Sequence, residues 1–180
     1  LPFDSTRISL RNESGDECGP EEPGELFSIS PYLFNGYWKN QAETDAAFMD
    51  GWVSVGDIAR RDADGYLYII DRKKDMVISG GTNIYPREIE NVLEQHPTVI
   101  EAGVVGVPDE KWGERLKAFV VISDEGSFAP DQIASFAESR LAKYKVPKDF
   151  EVISRLPRNA NGKVLKAILR ARTQPSIKDE

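Results

Sequence analysis

The candidate chemistry of this chain sits in short runs of glycines, carboxylates and cations that follow one another in order: Gly51-Trp52, Val55-Gly56-Asp57, Asp71-Arg72-Lys73-Lys74-Asp75, Ser79-Gly80-Gly81, Glu88-Ile89-Glu90, and Pro157 with Asn161-Gly162-Lys163. Asp57 follows a glycine in what reads as a tight turn. A carboxylate there presents two acceptors that suit the vicinal hydroxyls of a ribose; a turn-capping aspartate is the other reading. Gly80-Gly81 either serves a hairpin turn alone or keeps the backbone open to an approach that a side chain would block. Lys163 ends a turn-rich loop, where a solvated lysine is the plain alternative to a working one. Two common nucleotide signatures fail. Gly162-Lys163 is no Walker loop, because Pro157 stands where the first glycine belongs and no Ser or Thr follows the lysine, and the chain has no Gly-x-Gly-x-x-Gly. Cys18 is the single cysteine and His96 the single histidine, so neither an internal disulfide nor a metal-ligand cluster is expected. Cys18 reads as a loop thiol and His96 as a solvated helix-end residue.

These runs are strung along two stretches of different pattern. In the first, Arg7-Ile8-Ser9-Leu10 alternates as a strand and Gly19 to Gly24 is a surface loop. Glu25 to Ser30 is a second strand, and Gln41 to about Met49 a short helix. Trp52 to Ile70 reads as short strands with a tight turn at Asp62-Ala63-Asp64-Gly65. Residues 1–73 therefore read as the β-rich end of a larger domain that begins upstream of Leu1. The second stretch, 74–180, opens with Met76–Ser79 and Thr82–Ile84 flanking the glycine pair as a hairpin. Pro86 starts a helix with Ile89, Val92 and Leu93 on one face, reaching about His96. Val99 to Val107 is apolar on both faces apart from Glu101, as a central strand is, and Leu116 to Ile122 reads the same way. Pro130 opens a helix with Ile133, Phe136, Ala137 and Leu141 inward. Phe150 to Ile153 is a third strand, Val164 to Arg172 a last helix, and the tail from Thr173 is expected to fray. The fold class is α+β: an incomplete β-rich segment, then a small domain with a three-stranded sheet covered by helices.

The charge is uneven. Residues 1–73 hold 7 Lys+Arg against 14 Asp+Glu, whereas 74–180 hold 16 of each. Within Arg140 to Arg172 ten basic residues face two acidic ones. Such a field suits an anionic ligand such as a nucleotide or coenzyme phosphate, or else is a solvated helix face. Nucleic acid is a poorer partner for an acidic chain without a nucleic-acid-binding motif. With 40% hydrophobic residues the chain can bury a core, and no apolar run approaches the roughly 20 residues of a membrane helix. The expectation is a cytoplasmic protein with no transmembrane segment.

The ordered series resembles the adenylate-forming superfamily, which includes acyl- and aryl-CoA synthetases, luciferases and the adenylation domains of peptide synthetases. The likeness runs from Gly24-Glu25-Leu26 and Gly36-Tyr37-Trp38 through Lys163. Val55 departs from it, standing where many members have threonine before the Gly-Asp pair. Gly80-Gly81 followed by Asn83-Ile84-Tyr85-Pro86 looks more like acyl- or aryl-CoA synthetases than peptide-synthetase domains. The resemblance implies a ligase that activates a carboxylic acid as its acyl-AMP with ATP and Mg²⁺, then passes the acyl group to CoA. It implies Asp57 and Arg72 at the ribose, Lys163 as the catalytic lysine of adenylation, and Lys74 as the hinge of a rotating lobe, 74–180. Ser79, Gly80 and Gly81 would line the channel for the pantetheine arm, and Trp112, beside Lys111 and Arg115, would pack against the coenzyme nucleotide. The plain readings are a surface ion pair for Arg72, an exposed lysine for Lys74 and a packing tryptophan for Trp112. Pro157-x-x-x-x-Gly162-Lys163 also resembles the site where acyl-CoA synthetases are silenced by lysine acetylation, which implies an acetyltransferase and a deacetylase as partners. The family's Ser/Thr/Gly-rich phosphate loop and Tyr-Gly-x-Thr-Glu motif are not in this chain. The acid pocket and Mg²⁺ site are therefore expected outside it, and the 180 residues alone are expected not to adenylate. Two other classes stay open: a non-catalytic module binding CoA or a partner protein, and an adenylation domain serving a carrier protein.

Overall fold

The computed structural model describes residues 5–123 and 129–173; the tail expected to fray lies, from residue 174, outside the described residues. The chain divides into two compact units, Leu1–Lys74 and Asp75–Glu180. Among the described residues no helix is long and apolar enough to cross a membrane.

The first unit is a five-stranded antiparallel sheet of β1 (Arg7–Arg11), β2 (Gly24–Ile29), β3 (Phe48–Met49), β4 (Trp52–Arg61) and β5 (Leu67–Arg72). Helix α1 (Gln41–Ala47) precedes β3 and is capped by Asn40, whose side chain accepts the Glu43 N–H. Where several short strands were expected between Trp52 and Ile70, one ten-residue strand, β4, pairs with β2, β3 and β5. Gly56 does not break it. The β2 register steps from Glu25↔Ile58 to Phe27↔Ser54, so β4 carries its extra residues, Val55 to Asp57, as a bulge with Gly56 at φ +75°.

The second unit contains β6 (Val77–Ser79), β7 (Thr82–Ile84), α2 (Pro86–Leu93), β8 (Val99–Asp109), β9 (Gly113–Ile122), α3 (Pro130–Glu138), β10 (Asp149–Val152) and α4 (Lys166–Ala171). The three expected strands are β8, β9 and β10; β9 pairs antiparallel with β8 and parallel with β10. The β6–β7 hairpin joins through the Ser79↔Gly113 pair and brings the sheet to five strands. Side chains alternate along β8 and β9. Ala102, Val104, Leu116, Ala118 and Val120 face a cluster with Ile89, Leu93, Ile133 and Ala137 of α2 and α3. Val105, Val107 and Phe119 face a second cluster with Leu169 of α4 and with Leu156, which precedes the Pro157 loop. That two-sided burial is why both strands read as apolar throughout. Gly103 lets α4 come close: a Cβ there would lie 2.9 Å from Leu169 Cδ1. Phe136, expected in the core, instead stacks under Arg140, with the guanidinium carbon 3.6 Å from the ring centroid. His96 is half-buried rather than solvated; its ring meets Phe136 edge-on and its Nδ1 lies 2.9 Å from Thr98 Oγ1.

Candidate functional site

Asp57 and Arg72 are brought together in the first unit by cross-strand pairing of β4 and β5. Arg72 Nε lies 2.8 Å from Asp57 Oδ1, and a second guanidinium nitrogen donates to the Val55 carbonyl at 3.0 Å. Asp57 thus projects from a bulge, not from the tight turn its preceding glycine suggested. The ion pair expected as Arg72's plain reading is present. It leaves the second carboxylate oxygen as an acceptor beside a fixed positive charge.

In the second unit the hairpin and the β8–β9 turn form one cluster. Gly80 sits at φ +58° with its N–H donating to the Trp112 carbonyl at 2.9 Å. A Cβ on Gly80 would approach Trp112 Cε3 to 2.8 Å, so glycine is required here by both the backbone angle and the indole above it. Ser79 pairs with Thr82 and Gly113, while Gly81, at φ +78°, has open space where a side chain would be. Trp112 is half-exposed, and the Lys111 ammonium stands 4.7 Å from its ring centroid. Arg115 pairs with Asp109 of this corner and with Asp149. Two residues that sequence reasoning passed over build this corner: Glu114, which accepts the Ile78 N–H at 2.9 Å, and Asp109. Asp109 Oδ1 accepts the backbone N–H groups of Trp112 at 2.9 Å and Lys111 at 3.0 Å. Asp-x-x-Trp is the Asx-turn signal that could have revealed it.

The Trp112 N–H, more than that of Lys111, holds the Asp109 carboxyl below the usual carboxylate range against an opposing effect of desolvation. A depressed folded pKa contributes stability that is complete above the unfolded value of about 4 and is lost as pH falls through the folded value. Acidification through that window is expected to loosen the turn and change the emission of Trp112, with the transition absent in Asp109→Ala; an unchanged acid transition in that variant would refute the assignment.

Lys163 closes a loop locked by its own backbone. Asn159 Oδ1 accepts the N–H groups of Asn161 at 3.0 Å and Lys163 at 2.9 Å, Asn159 N–H donates to the Lys163 carbonyl, and Leu165 N–H donates to the Pro157 carbonyl. The Lys163 side chain is exposed and has no hydrogen bond or ion pair among the described residues. Its basic neighbours differ. Lys145 pairs with Glu88, Arg158 with Glu101, Lys166 with Glu90, Arg170 with Asp75 and Arg172 with Glu151. Five of the ten basic residues read from Arg140 to Arg172 are therefore neutralised within the unit, and Lys163 is one of the other five, which form no ion pair among the described residues. Asp75, which follows Lys74 in the Lys73–Asp75 3-10 turn, is buried and tied to α4 by Arg170 at 3.5 Å.

Cys18 donates weakly to the Pro23 carbonyl at 3.6 Å, and burial, then Glu22 and Glu17, raises its thiol pKa, as suits an unreactive loop residue.

Residues 88–163, which run from α2 to the Lys163 loop, match the AMP-binding enzyme C-terminal domain. The chain carries the C-terminal domain of the adenylate-forming family. Outside that span, the likeness to members of the family continues through the first unit. The chain is 46% identical over 165 residues to the 2-succinylbenzoate–CoA ligase of Bacillus licheniformis, covering 92% of this chain and 34% of that protein. It is 44% identical over 166 residues to a long-chain-fatty-acid–CoA ligase of Bacillus subtilis, covering 92% and 30%. The o-succinylbenzoate CoA synthetase of Bacillus subtilis, solved with the acyl-adenylate OSB-AMP, superposes with TM-score 0.86 and 39% identity over 99% of this chain and 36% of its own. That synthetase has also been solved with ATP and a magnesium ion (TM-score 0.83, 38% identity, 95% and 34% covered). This chain spans about a third of the length of the curated relatives it matches.

Proposed function

We propose that the chain is the C-terminal portion of a cytoplasmic, ATP-dependent acid:CoA ligase that makes an acyl-AMP and then the acyl-CoA thioester. The observation that carries this is Lys163: an ammonium with no partner among the described residues, on a loop whose backbone is locked, at the end of the matched domain. Adenylation crowds negative charge as a carboxylate meets the α-phosphate, and a positioned cation lowers that barrier. The relatives' names and the acyl-adenylate bound to one of them support the same two-step chemistry.

The chain's own residues fit parts of ATP and CoA. The bulge carboxylate of Asp57, oriented by Arg72, suits the two ribose hydroxyls. Lys74, next to the junction of the two units, is the proposed pivot about which residues 74–180 exchange Lys163 for the hairpin between the two half-reactions. Ser79, Gly80 and Gly81 then border the pantetheine arm, and Trp112 with Lys111 offers an aromatic face and a cation to the coenzyme nucleotide. Mg²⁺ would neutralise phosphate charge. Its ligands are expected in the remainder of the enzyme, with the phosphate loop that this chain does not contain. Exposure of Lys163 also makes it reachable by a lysine acetyltransferase and a deacetylase, and acetylation would remove the charge that adenylation uses.

The test is a polypeptide carrying this chain behind the N-terminal region its relatives have. It is expected to exchange pyrophosphate into ATP when offered an aryl or aliphatic acid, and to form the thioester when CoA is added. No exchange across a panel of both acid types would refute the reading.

A further inference from the structure

Glu101 is the acidic interruption near the start of an otherwise apolar β8, and its partner shows what it is for. Arg158 spreads its fork between two acceptors: one nitrogen donates to the Gly162 carbonyl at 2.6 Å, another to Glu101 Oε1 at 2.9 Å. We infer that Arg158 is a positioning residue for Lys163, pinning the peptide that precedes the lysine to the central sheet; the inference rests on the role given to Lys163 above.

The Gly162–Lys163 peptide is held at both ends, its carbonyl by Arg158 and its N–H by Asn159 Oδ1. The Lys163 carbonyl accepts in turn from the Asn159 N–H. These three contacts lie within the loop and fix its shape. The Arg158–Glu101 contact reaches β8 and fixes where that shape sits. The distinction matters because a lysine with no side-chain partner is aimed only by its Cα–Cβ direction. A misplacement of about 1 Å at a reacting group can lower a rate on the order of 10²-fold. A surface ion pair by itself contributes little, and it would not involve the Gly162 carbonyl. The planar guanidinium serves both acceptors at once, which the point charge of a lysine does not.

The experiment compares Arg158→Gln and Arg158→Lys in the full-length enzyme. Arg158→Gln is expected to lower kcat for acyl-adenylate formation by about 10- to 100-fold while KM for ATP changes less than about twofold. Thioester formation from preformed acyl-adenylate and CoA is expected to change less than about twofold, because that step does not use Lys163. Arg158→Lys recovers only part of the loss. In the 180-residue chain, the order parameter of the Lys163 amide is expected to fall from about 0.85 to below about 0.6 in Arg158→Gln and also in Glu101→Gln. Equal loss in both half-reactions, an undiminished adenylation rate or an unchanged Lys163 amide would each overturn the inference. A wild-type enzyme that fails to adenylate while the Lys163 amide loosens in both variants would overturn the ligase reading and leave the clamp standing.

Discussion

Lys163→Ala in the full-length enzyme is expected to slow acyl-adenylate formation by about 10²- to 10³-fold, the loss typical of deleting one positioned charge or donor from a transition state. The structure makes the substitution clean. The side chain is exposed and makes no hydrogen bond or ion pair among the described residues, while the loop is closed by backbone groups and by Asn159 and Arg158, all of which survive in alanine. Loss of rate without loss of fold is therefore the expected pair of results, read as pyrophosphate exchange alongside an unchanged melting temperature. Substrate affinities should change little if the ammonium acts on charge that develops during reaction, so the deficit belongs in kcat. A decrease of less than about threefold would rule out the role. Asparagine at 159 and arginine at 158 are the second half of this argument, since a free ammonium on a drifting loop would stabilise an ensemble of positions, few of them productive.

The places of the candidate residues along the chain were legible before any geometry; their roles are the ones proposed above. Short polar runs around Asp57, Arg72, Gly80 and Lys163 kept their sequence spacing, and each lies on a turn, bulge or strand end. What escaped notice depended on contacts between distant residues. Gly56 suggested a turn, but it serves a bulge because β2 supplies a continuous partner for β4 on either side of it. The basic run could be read as an anion-attracting field or as a solvated face, but not as internally paired, because its counter-charges, Asp75, Glu88, Glu90 and Glu101, lie 57 to 95 positions away in pairs such as Arg158–Glu101 and Arg170–Asp75. Glu101 was visible as a charge out of keeping with an apolar strand, and Glu90 as a member of the ordered Glu88-Ile89-Glu90 run. The sequence alone could not tell a tolerated charge from one with a buried partner, because that depends on the folding of α4 against β8. Phe136 shows the converse: its spacing is that of a core residue, and Arg140 one turn later on the helix covers it instead.

Glu90→Ala is expected to destabilise the second unit by about 3–5 kcal/mol, the range found when one partner of a buried ion pair is deleted. Glu90 is 4% exposed, and its Oε1 accepts both the Lys166 ammonium at 2.8 Å and the Val104 N–H at 2.9 Å. The helices concerned pack on opposite faces of the sheet: Ile89 and Leu93 of α2 belong to one cluster, Leu169 of α4 to the other. Their link passes around the outer edge of β8, whose Ala102 N–H is covered in the same way by Glu94, one helical turn on. Removing the carboxylate strands a nearly buried ammonium and a strand N–H together, which is why the cost exceeds that of an exposed pair. Glu88→Ala, which breaks the more exposed pair with Lys145, provides the contrast at less than about 1 kcal/mol. Urea titration of the 180-residue chain, followed at a resolved β8 amide such as Val105, measures both. A Glu90→Ala loss no larger than that of Glu88→Ala would show that the buried pair does not hold α4. Combining Glu90→Met with Lys166→Met should recover part of the stability by replacing the pair with apolar volume, though not all of it, since the Val104 N–H would still lack an acceptor. The consequence reaches the loop. Lys166 lies three residues beyond Lys163, so the buried pair and the Arg158 clamp anchor the loop from its two ends, one against α2 and the other against β8.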